Sequence, residues 1–296
     1  MADFQNLLID RVGTDGRIAR ITLNRPEKMN ALSQELLFEF RDALADLESD
    51  DSARVIIVRG AGRTFSAGYD LTPAQRTGAD AVVRSFKSVD EQGRRLFTNV
   101  RGGIQRITDI HMYFWNLQKV TIAQVHGYAI AGGCELSMMA DFVTAADDAK
   151  FGHPGVRFGG SRTSAILPLL IGMRKAKELF YTGDNISGEE AARIGLINWS
   201  CPQDVLEERT IAMADRVAIL PADHLAMLKI HMNRFHENMG IYSSVRSSTD
   251  LDAISWTSQS YGWQDKMREG GLKEALAWRD GPYQDYRAAA VKPAGN

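Results

Sequence analysis

The first 60 residues alternate between apolar and polar positions in a way that predicts a hairpin, a helix and a further strand. The segments NLLIDRV and IARITLNRP flank the turn TDG and have the two-residue period of half-buried strands. In the next segment, apolar residues recur every three or four positions and predict a helix: Leu36, Leu37, Phe40, Leu44 and Leu47. The short apolar run ARVIIVRG then predicts a buried strand.

The same kinds of element recur farther along the chain. VTIAQVHGYAIAGG predicts another strand, and CELSMMADFVTAAD predicts a helix that leads into a further strand. Two helices are predicted in the more polar stretch between Leu71 and Val120, the second with Phe114 and Trp115 on its apolar face. Repeated β-β-α units of this kind indicate an α/β fold.

The length of 296 residues suits one large domain, or a main domain with a smaller appendage. We predict a core domain over residues 1–201 and a helical region over residues 202–296 that serves oligomerisation. Hydrophobic residues make up 44% of the chain and charged residues 24%, which is enough apolar material for a sizeable core. The formal net charge of −2, without a block of Lys or Arg, argues against nucleic acid or an acidic membrane surface as a partner.

The two cysteines, Cys134 and Cys201, have neither C-x-x-C spacing nor companions suited to bind a metal. We therefore predict no metal site and a reducing, cytoplasmic location. The N-terminal segment lacks the pattern of a secretory signal, and no apolar run is long enough to predict a membrane span.

Two turns that contain small residues carry the candidate chemistry. In AIAGGCELSMMAD, Gly132 and Gly133 precede a predicted helix that carries Glu135, and glycine is used where the backbone approaches another group closely. RTFSAGYDLTP also follows a predicted strand and has small residues at its turn. If one backbone N–H from each turn converged on the same oxygen, the pair would form an oxyanion hole.

Five segments, in this order and at compatible spacing, resemble the crotonase superfamily of enoyl-CoA hydratases and isomerases. They are RPEKMNALS, TFSAGYDL, VHGYAIAGGCEL, AKFGHPGV and LFYTGDNISGEEAARIGLINWSCP. The resemblance covers residues 5–290 and implies a crotonase-like spiral of repeated ββα units with a helical C-terminal trimerisation region. It also implies an acyl-CoA thioester as the substrate, no cofactor beyond the CoA moiety, and a homotrimer or hexamer.

The resemblance also implies roles for individual residues. The N–H groups of Tyr69 and Gly132 would hold the thioester oxygen, and Glu135 would be the first catalytic acid. A basic residue at Arg279 would contact CoA from a neighbouring subunit. Residues that would line the CoA path are Lys28, Ala31, Ala67, Gly68, Asp70 and Leu71.

The chain departs from the family pattern at Gly155, where the hydratases have their second glutamate. His153 is a candidate to take part in proton transfer, or alternatively a loop histidine without a chemical role. Arg157, Ser161 and Arg162 lie where the family sometimes recruits a substitute acid, and an arginine there could bind a substrate carboxylate or pair at a subunit interface.

Several functions remain compatible with these residues. The chain could be a hydratase, an isomerase, or a crotonase-fold hydrolase of C–C or thioester bonds, since all use the same oxyanion hole. It could also be an acyl-CoA-binding protein with weak hydratase activity, because the second acid is absent. The balanced charge argues against an RNA-binding role. Aromatic residues between the two turns either wall the pocket of a bulky, branched, cyclic or aromatic acyl group, which we predict, or pack on a neighbouring subunit: Phe86, Tyr113, Phe114 and Trp115.

Overall fold

A computed structural model describes residues 4–71, 96–158, 165–257 and 262–283 of the chain. The two turns that carry the candidate chemistry lie within these ranges. Most of the first helix predicted between Leu71 and Val120 lies outside them, as do Phe86, Ser161 and Arg162.

A six-stranded sheet in the order β1–β2–β3–β4–β6–β9 forms the centre of the fold. β1 and β2 pair antiparallel, as the hairpin pattern predicted, and the other neighbours in this sheet pair parallel. A second sheet has the order β5–β7–β8. The strands are β1 Leu7–Val12, β2 Ile18–Leu23, β3 Val55–Gly60, β4 Val120–Val125, β5 Tyr128–Ile130, β6 Phe142–Ala146, β7 Lys150–Gly152, β8 Ile186–Ser187 and β9 Trp199–Cys201.

Helices separate most of these strands and then follow one another to the C-terminal side of residue 202, so the predicted α/β fold with a helical C-terminal region is confirmed. The division into two domains at residue 201 stays a prediction. The helices are α1 Gln34–Glu48, α2 Phe97–Asn116, α3 Gly132–Met138, α4 Leu167–Thr182, α5 Gly188–Arg193, α6 Gln203–Val217, α7 Ala222–Asn238, α8 Ile241–Thr257 and α9 Trp263–Asp280.

The predicted apolar face of α1 is buried in full against the sheet. The helix begins after Ser33, whose side chain accepts a hydrogen bond from the N–H of Leu36 and so caps the first turn. Phe114 and Trp115 of α2 are buried in the same core, and the Phe114 ring lies 5.3 Å from that of Phe40. These α2 aromatics therefore stabilise the fold.

The C-terminal helices cover the other parts of the molecule. Ala214 of α6 and Ala218, which directly follows this helix, are buried in a cluster with Ile18 and Val55 on the opposite face of the sheet. α8 packs along α2, and α9 contacts a short 3₁₀ helix at Pro154–Phe158. The last helix therefore reaches the loop that contains Gly155.

Three further properties of the described residues concern membrane crossing, metal binding and the two cysteines. Within them, none of the helices combines the length and the apolar character needed to cross a membrane. The same part of the chain holds no group of three or more His, Cys, Asp or Glu that could bind a metal ion. Cys134 and Cys201 are both buried free thiols.

The two turns lie against each other because short stretches of backbone pair between them. Ser66 forms a parallel bridge with Ala129, in which its N–H donates to the Tyr128 carbonyl at 2.8 Å and its carbonyl accepts from the Ile130 N–H at 3.1 Å. On the other side, Tyr69 forms a parallel bridge with Leu32. The turn after β3 is therefore held between the loop before α1 and the turn before α3.

This close approach explains the glycine pair. A Cβ atom on Gly133 would lie 2.5 Å from the carbonyl oxygen of Ser66, and one on Gly132 would lie 2.6 Å from Cε2 of the Tyr69 ring. Both distances are far below van der Waals contact. Gly133 is thus required by the backbone of the neighbouring turn, and Gly132 is required by the Tyr69 side chain of that turn.

We expect alanine at these two positions to have different effects on stability. Gly133→Ala should lower the free energy of unfolding by about 1–3 kcal/mol, because its methyl group would push against backbone that is fixed by pairing. Gly132→Ala should lower the free energy of unfolding less, because a side chain can shift where paired backbone cannot, although a shift of the Tyr69 ring weakens its hydrogen bond to Glu135. Denaturant unfolding of both variants measures the difference, and a larger loss in Gly132→Ala would contradict this account.

The C-terminal helices also expose many large apolar side chains, which predicts self-association. Such side chains are rare on monomers when they gather on one element. We expect sedimentation at micromolar concentration to show trimers or hexamers, and a dominant monomer would refute the prediction. The exposed residues of α7 are Met227, Leu228, Ile230, Met232 and Phe235.

Candidate active site

A cavity of about 370 Å³ lies between the two turns, the 3₁₀ helix at Pro154–Phe158 and the helices α8 and α9. Most of the site residues predicted from the sequence line it: Lys28, Ala31, Ala67, Tyr69, Asp70, Leu71, Glu135, His153 and Arg279. Gly68 and Gly132 adjoin this wall, since a Cβ atom on Gly68 would lie 3.2 Å from the Gly132 nitrogen. The fold therefore brings the predicted residues to one place.

Glu135 is the most buried ionisable group of the cavity wall. It lies in the first turn of α3 and has no exposed surface. Its Oε1 atom lies 2.8 Å from Nε2 of His153, and its Oε2 atom accepts a hydrogen bond from the Tyr69 hydroxyl. Because each carboxylate oxygen has a donor, the group can be held in one orientation inside the protein.

His153 follows β7 and is buried, which excludes the interpretation of a solvent-exposed loop histidine. Its ring lies 6.2 Å from that of Phe180 and donates through Nε2 to Glu135 when the carboxylate is ionised. The other ring nitrogen, Nδ1, is buried and has no hydrogen-bond partner in the described part of the chain. The sequence alone gave no sign that His153 would contact Glu135.

Tyr69 contributes more than its backbone. Its ring covers Gly132 and lies 6.2 Å from the His111 ring, nearly parallel to it. The N–H of Leu32 donates to the Gly68 carbonyl at 2.8 Å, and the N–H of Asp70 donates to the Leu32 carbonyl at 3.2 Å. Because successive N–H groups of an extended chain point to opposite sides, the N–H of Tyr69 points away from Leu32, toward the turn before α3.

The position of the missing second acid lies in the cavity wall. Gly155 lines the cavity together with Pro154 and places no side chain there. Among the described cavity residues, the carboxylates are those of Glu135 and Asp70, and Asp70 is bound to Arg25 at 3.0 Å. The second carboxylate of this described wall is thus engaged in an ion pair, and neither carboxylate stands at the position of Gly155.

The predicted contact of Arg279 with CoA from a neighbouring subunit stays a prediction. Within its own chain, Arg279 lies in the cavity wall, where its guanidinium donates to Asp280 at 2.8 Å and 2.7 Å. Arg157 also donates to Asp280, at 3.0 Å, and binds Asp184 at 2.9 Å. Burial alone would raise the pKa of Asp280, but the two arginines outweigh it and lower that pKa. Arg157 therefore joins α9 to the 3₁₀ helix within the chain.

The apolar part of the wall comes from helices that the sequence patterns did not connect with the site. Trp256 of α8 and Leu272 and Leu276 of α9 line the cavity. Of the aromatics that were predicted to wall the acyl pocket, the three in the described residues do not line it: Phe114 and Trp115 belong to the core, and Tyr113 donates to Glu48 at 2.7 Å.

Two further ionisable groups lie beside the turns: the His126 ring and the Cys134 thiol. His126 bonds through Nε2 to the Gly62 carbonyl at 2.9 Å, and burial lowers its pKa. Burial also raises the pKa of the Cys134 thiol to about 12, with a smaller contribution from Glu135. The thiolate that a nucleophilic cysteine needs is thus disfavoured at this position.

Comparisons with known proteins identify the family of this chain. Residues 13–251 match the family model described as enoyl-CoA hydratase/isomerase. A Mycobacterium tuberculosis protein named as an enoyl-CoA hydratase, EchA13, is 33% identical over 95% of this chain and 88% of its own length. The crotonyl-CoA hydratase of Syntrophomonas wolfei is 31% identical over 84% of this chain and 88% of its own length.

A solved structure gives the same result for the fold. The crystal structure of an enoyl-CoA hydratase/isomerase from Xanthobacter autotrophicus Py2 superposes with a TM-score of 0.83 and 31% sequence identity, over 96% of this chain and 100% of the other. The chain therefore belongs to the enoyl-CoA hydratase/isomerase family of the crotonase superfamily, and it is an enzyme of the hydratase type.

Proposed function

We propose that the enzyme adds water across the double bond of an enoyl-CoA thioester, whose oxygen is held as an enolate by the N–H groups of Tyr69 and Gly132. The close approach of Gly68 to the Gly132 nitrogen supports this, because it brings the two turns within reach of a single oxygen atom. The direction of the Tyr69 N–H, away from Leu32, supports it as well.

The hydrogen bonds to the thioester oxygen would lower the barrier because negative charge grows on that oxygen as water attacks. Each donor of this kind is worth about 3 kcal/mol of transition-state stabilisation. A backbone N–H held by strand pairing needs little reorganisation during the reaction. The bridges of Tyr69 with Leu32 and of Ser66 with Ala129 supply that rigidity here.

The observation that carries the proposal is the Glu135 carboxylate in the cavity wall, three residues after Gly132 and fixed by two hydrogen bonds. In the proposed reaction Glu135 is the general base that removes a proton from the attacking water. His153 is a positioning residue that orients the carboxylate through Nε2. General-base catalysis needs a group within hydrogen-bond reach of the proton it removes. Glu135 lines the cavity, and in the proposed complex the attacking water occupies the cavity beside this carboxylate.

The CoA part of the substrate is assigned to the opposite end of the same cavity. Lys28 and Arg279 would supply positive charge for its phosphates, and Ala31, Ala67 and Leu71 would flank its path. Small side chains at two of these positions leave room for a long, narrow ligand. The Asp280 carboxylate offsets part of the charge on Arg279, so we assign the larger share of phosphate binding to Lys28.

We expect Glu135→Gln to lower kcat for enoyl-CoA hydration by about 10²-fold or more, because the amide cannot accept the proton from water. The dissociation constant for a saturated acyl-CoA should change little, since the side chain keeps its size. Steady-state kinetics and calorimetric titration measure the two quantities.

Glu48→Gln is the matched control for this variant, because Glu48 accepts a tyrosine hydroxyl and a backbone N–H outside the cavity. It should leave kcat unchanged. If Glu135→Gln kept the wild-type kcat on its best substrate, the proposed base would be wrong. If the wild-type enzyme bound acyl-CoA without hydrating any enoyl-CoA, the acyl-CoA-binding role would replace the proposed function.

The acyl group is proposed to be bulky, branched, cyclic or aromatic. The α2 aromatics no longer support this, but the absent side chain at Gly155 does, because it leaves space in the wall beside Glu135. We expect kcat/KM to be higher for cyclic or aryl enoyl-CoA thioesters than for crotonyl-CoA. A clear preference for the four-carbon substrate would contradict the prediction.

A further inference from the structure

We propose that the Tyr69 hydroxyl is a catalytic proton donor of this enzyme, which delivers to the substrate α-carbon the proton that Glu135 removes from water. This inference rests on the proposed function and extends it to the second half of the reaction. Hydration adds a hydroxyl group at the β-carbon and a proton at the α-carbon. Because residue 155 is a glycine, the proton for the α-carbon needs a donor other than a carboxylic acid at that position.

The position of the Tyr69 ring is the first observation that supports this role. Three ring atoms, Cδ2, Cε2 and Cζ, lie within 2.6–2.8 Å of where a Cβ atom of Gly132 would be. The hydroxyl is attached to Cζ, and Tyr69 lines the cavity. In the proposed complex the thioester oxygen is bound at the N–H groups of Tyr69 and Gly132. The α-carbon is one bond from that carbonyl carbon, which places it beside the phenol.

The hydrogen bond to Glu135 is the second observation. The Tyr69 hydroxyl donates directly to Oε2 of Glu135, so a proton can pass between the two groups without an intervening water. His153 holds the other oxygen of the same carboxylate and fixes its orientation. In the proposed relay these contacts connect the base that activates water with the donor that supplies a proton to the α-carbon.

The proposed relay conserves protons and returns both side chains to their starting states. Glu135 takes a proton from water while the water oxygen bonds to the β-carbon and the double-bond electrons move to the thioester oxygen. The enolate then re-forms the carbonyl, and the α-carbon takes the proton of the Tyr69 hydroxyl. The phenolate next takes the proton held by Glu135. One water molecule has been added, and both side chains are restored.

The first test is Tyr69→Phe, which keeps the ring against Gly132 and the backbone N–H but removes the hydroxyl. We expect kcat for hydration to fall by about 10²-fold or more, the scale of general acid–base catalysis. Deuterium exchange at the α-carbon of a saturated acyl-CoA in D₂O, followed by NMR, should fall as strongly. The dissociation constant of that thioester, measured by calorimetry, should stay within about threefold, since the packing is kept.

Tyr113→Phe is the matched control, because Tyr113 also donates to a glutamate, Glu48, but lies outside the cavity. It should leave hydration and α-exchange at their wild-type rates. Thermal unfolding of Tyr69→Phe shows whether that variant is folded. If Tyr69→Phe were unfolded, the following measurement with an intact hydroxyl would decide the question.

That measurement replaces Tyr69 with 3-fluorotyrosine, whose phenol is more acidic but keeps the hydrogen bond to Glu135. If the enzyme needs a protonated phenol at this position, its activity falls as the phenol ionises with rising pH. A more acidic phenol ionises at a lower pH, so the activity should fall at a lower pH. We therefore expect the alkaline limb of the kcat–pH profile to move to lower pH. A hydroxyl that only positions Glu135 would leave the limb in place.

The outcomes separate the relay from the function on which it rests. Hydration or α-exchange by Tyr69→Phe within about twofold of the wild type, or an unshifted alkaline limb, overturns the relay. If Glu135→Gln still lost hydration in that case, the proposed function would stand without it. A wild-type enzyme that hydrated no enoyl-CoA would remove the proposed function and the relay together.

Discussion

The burial of one carboxylate is the constraint on which the rest of the site depends. Glu135 has no exposed surface, and a buried charge is costly unless it is fully hydrogen-bonded. The two donors, Tyr69 and His153, come from turns that are distant in sequence. Both turns must therefore be held against α3, and the absence of a side chain at Gly132 and Gly133 allows the first of them to come that close.

The sheet topology explains why these turns meet at all. β3 and β4 are parallel neighbours, so the turns that follow them leave the sheet at the same edge. Pairing of Ser66 with Ala129 then continues the contact beyond the sheet. The backbone groups assigned to the thioester oxygen lie at that junction, where strand pairing fixes them. A site at the carboxyl ends of parallel strands thus follows from the fold, whereas its chemistry depends on the side chains that these turns carry.

The sequence was sufficient to predict β1 to β4, β6, the buried face of α1 and the two turns, because periodicity and glycine placement are local signals. It did not predict the short strands β7, β8 and β9, and it took β4 and β5 as one strand. It was not sufficient to predict that Tyr69, Glu135 and His153 touch one another, since such contacts depend on how distant turns pack. The same limit explains why the α2 aromatics were assigned to the acyl pocket. An apolar helix face has the same pattern whether it covers a ligand or, like Phe114, a core. The packing of α9 also brings Arg279 to the cavity of its own chain, which the sequence did not indicate, and its predicted contact with CoA across a subunit boundary stays a prediction.

A phenol in place of a second carboxylate changes the electrostatics of the site. Two carboxylates that face one small cavity repel each other, and one of them is forced to hold a proton. A phenol is neutral and protonated near neutral pH, so it can stand beside an ionised Glu135 without that repulsion. In the proposed relay the donor and the base are therefore both in their working states at once. The absence of a side chain at Gly155 is then compatible with hydration, and the space it leaves in the wall is open to the acyl group.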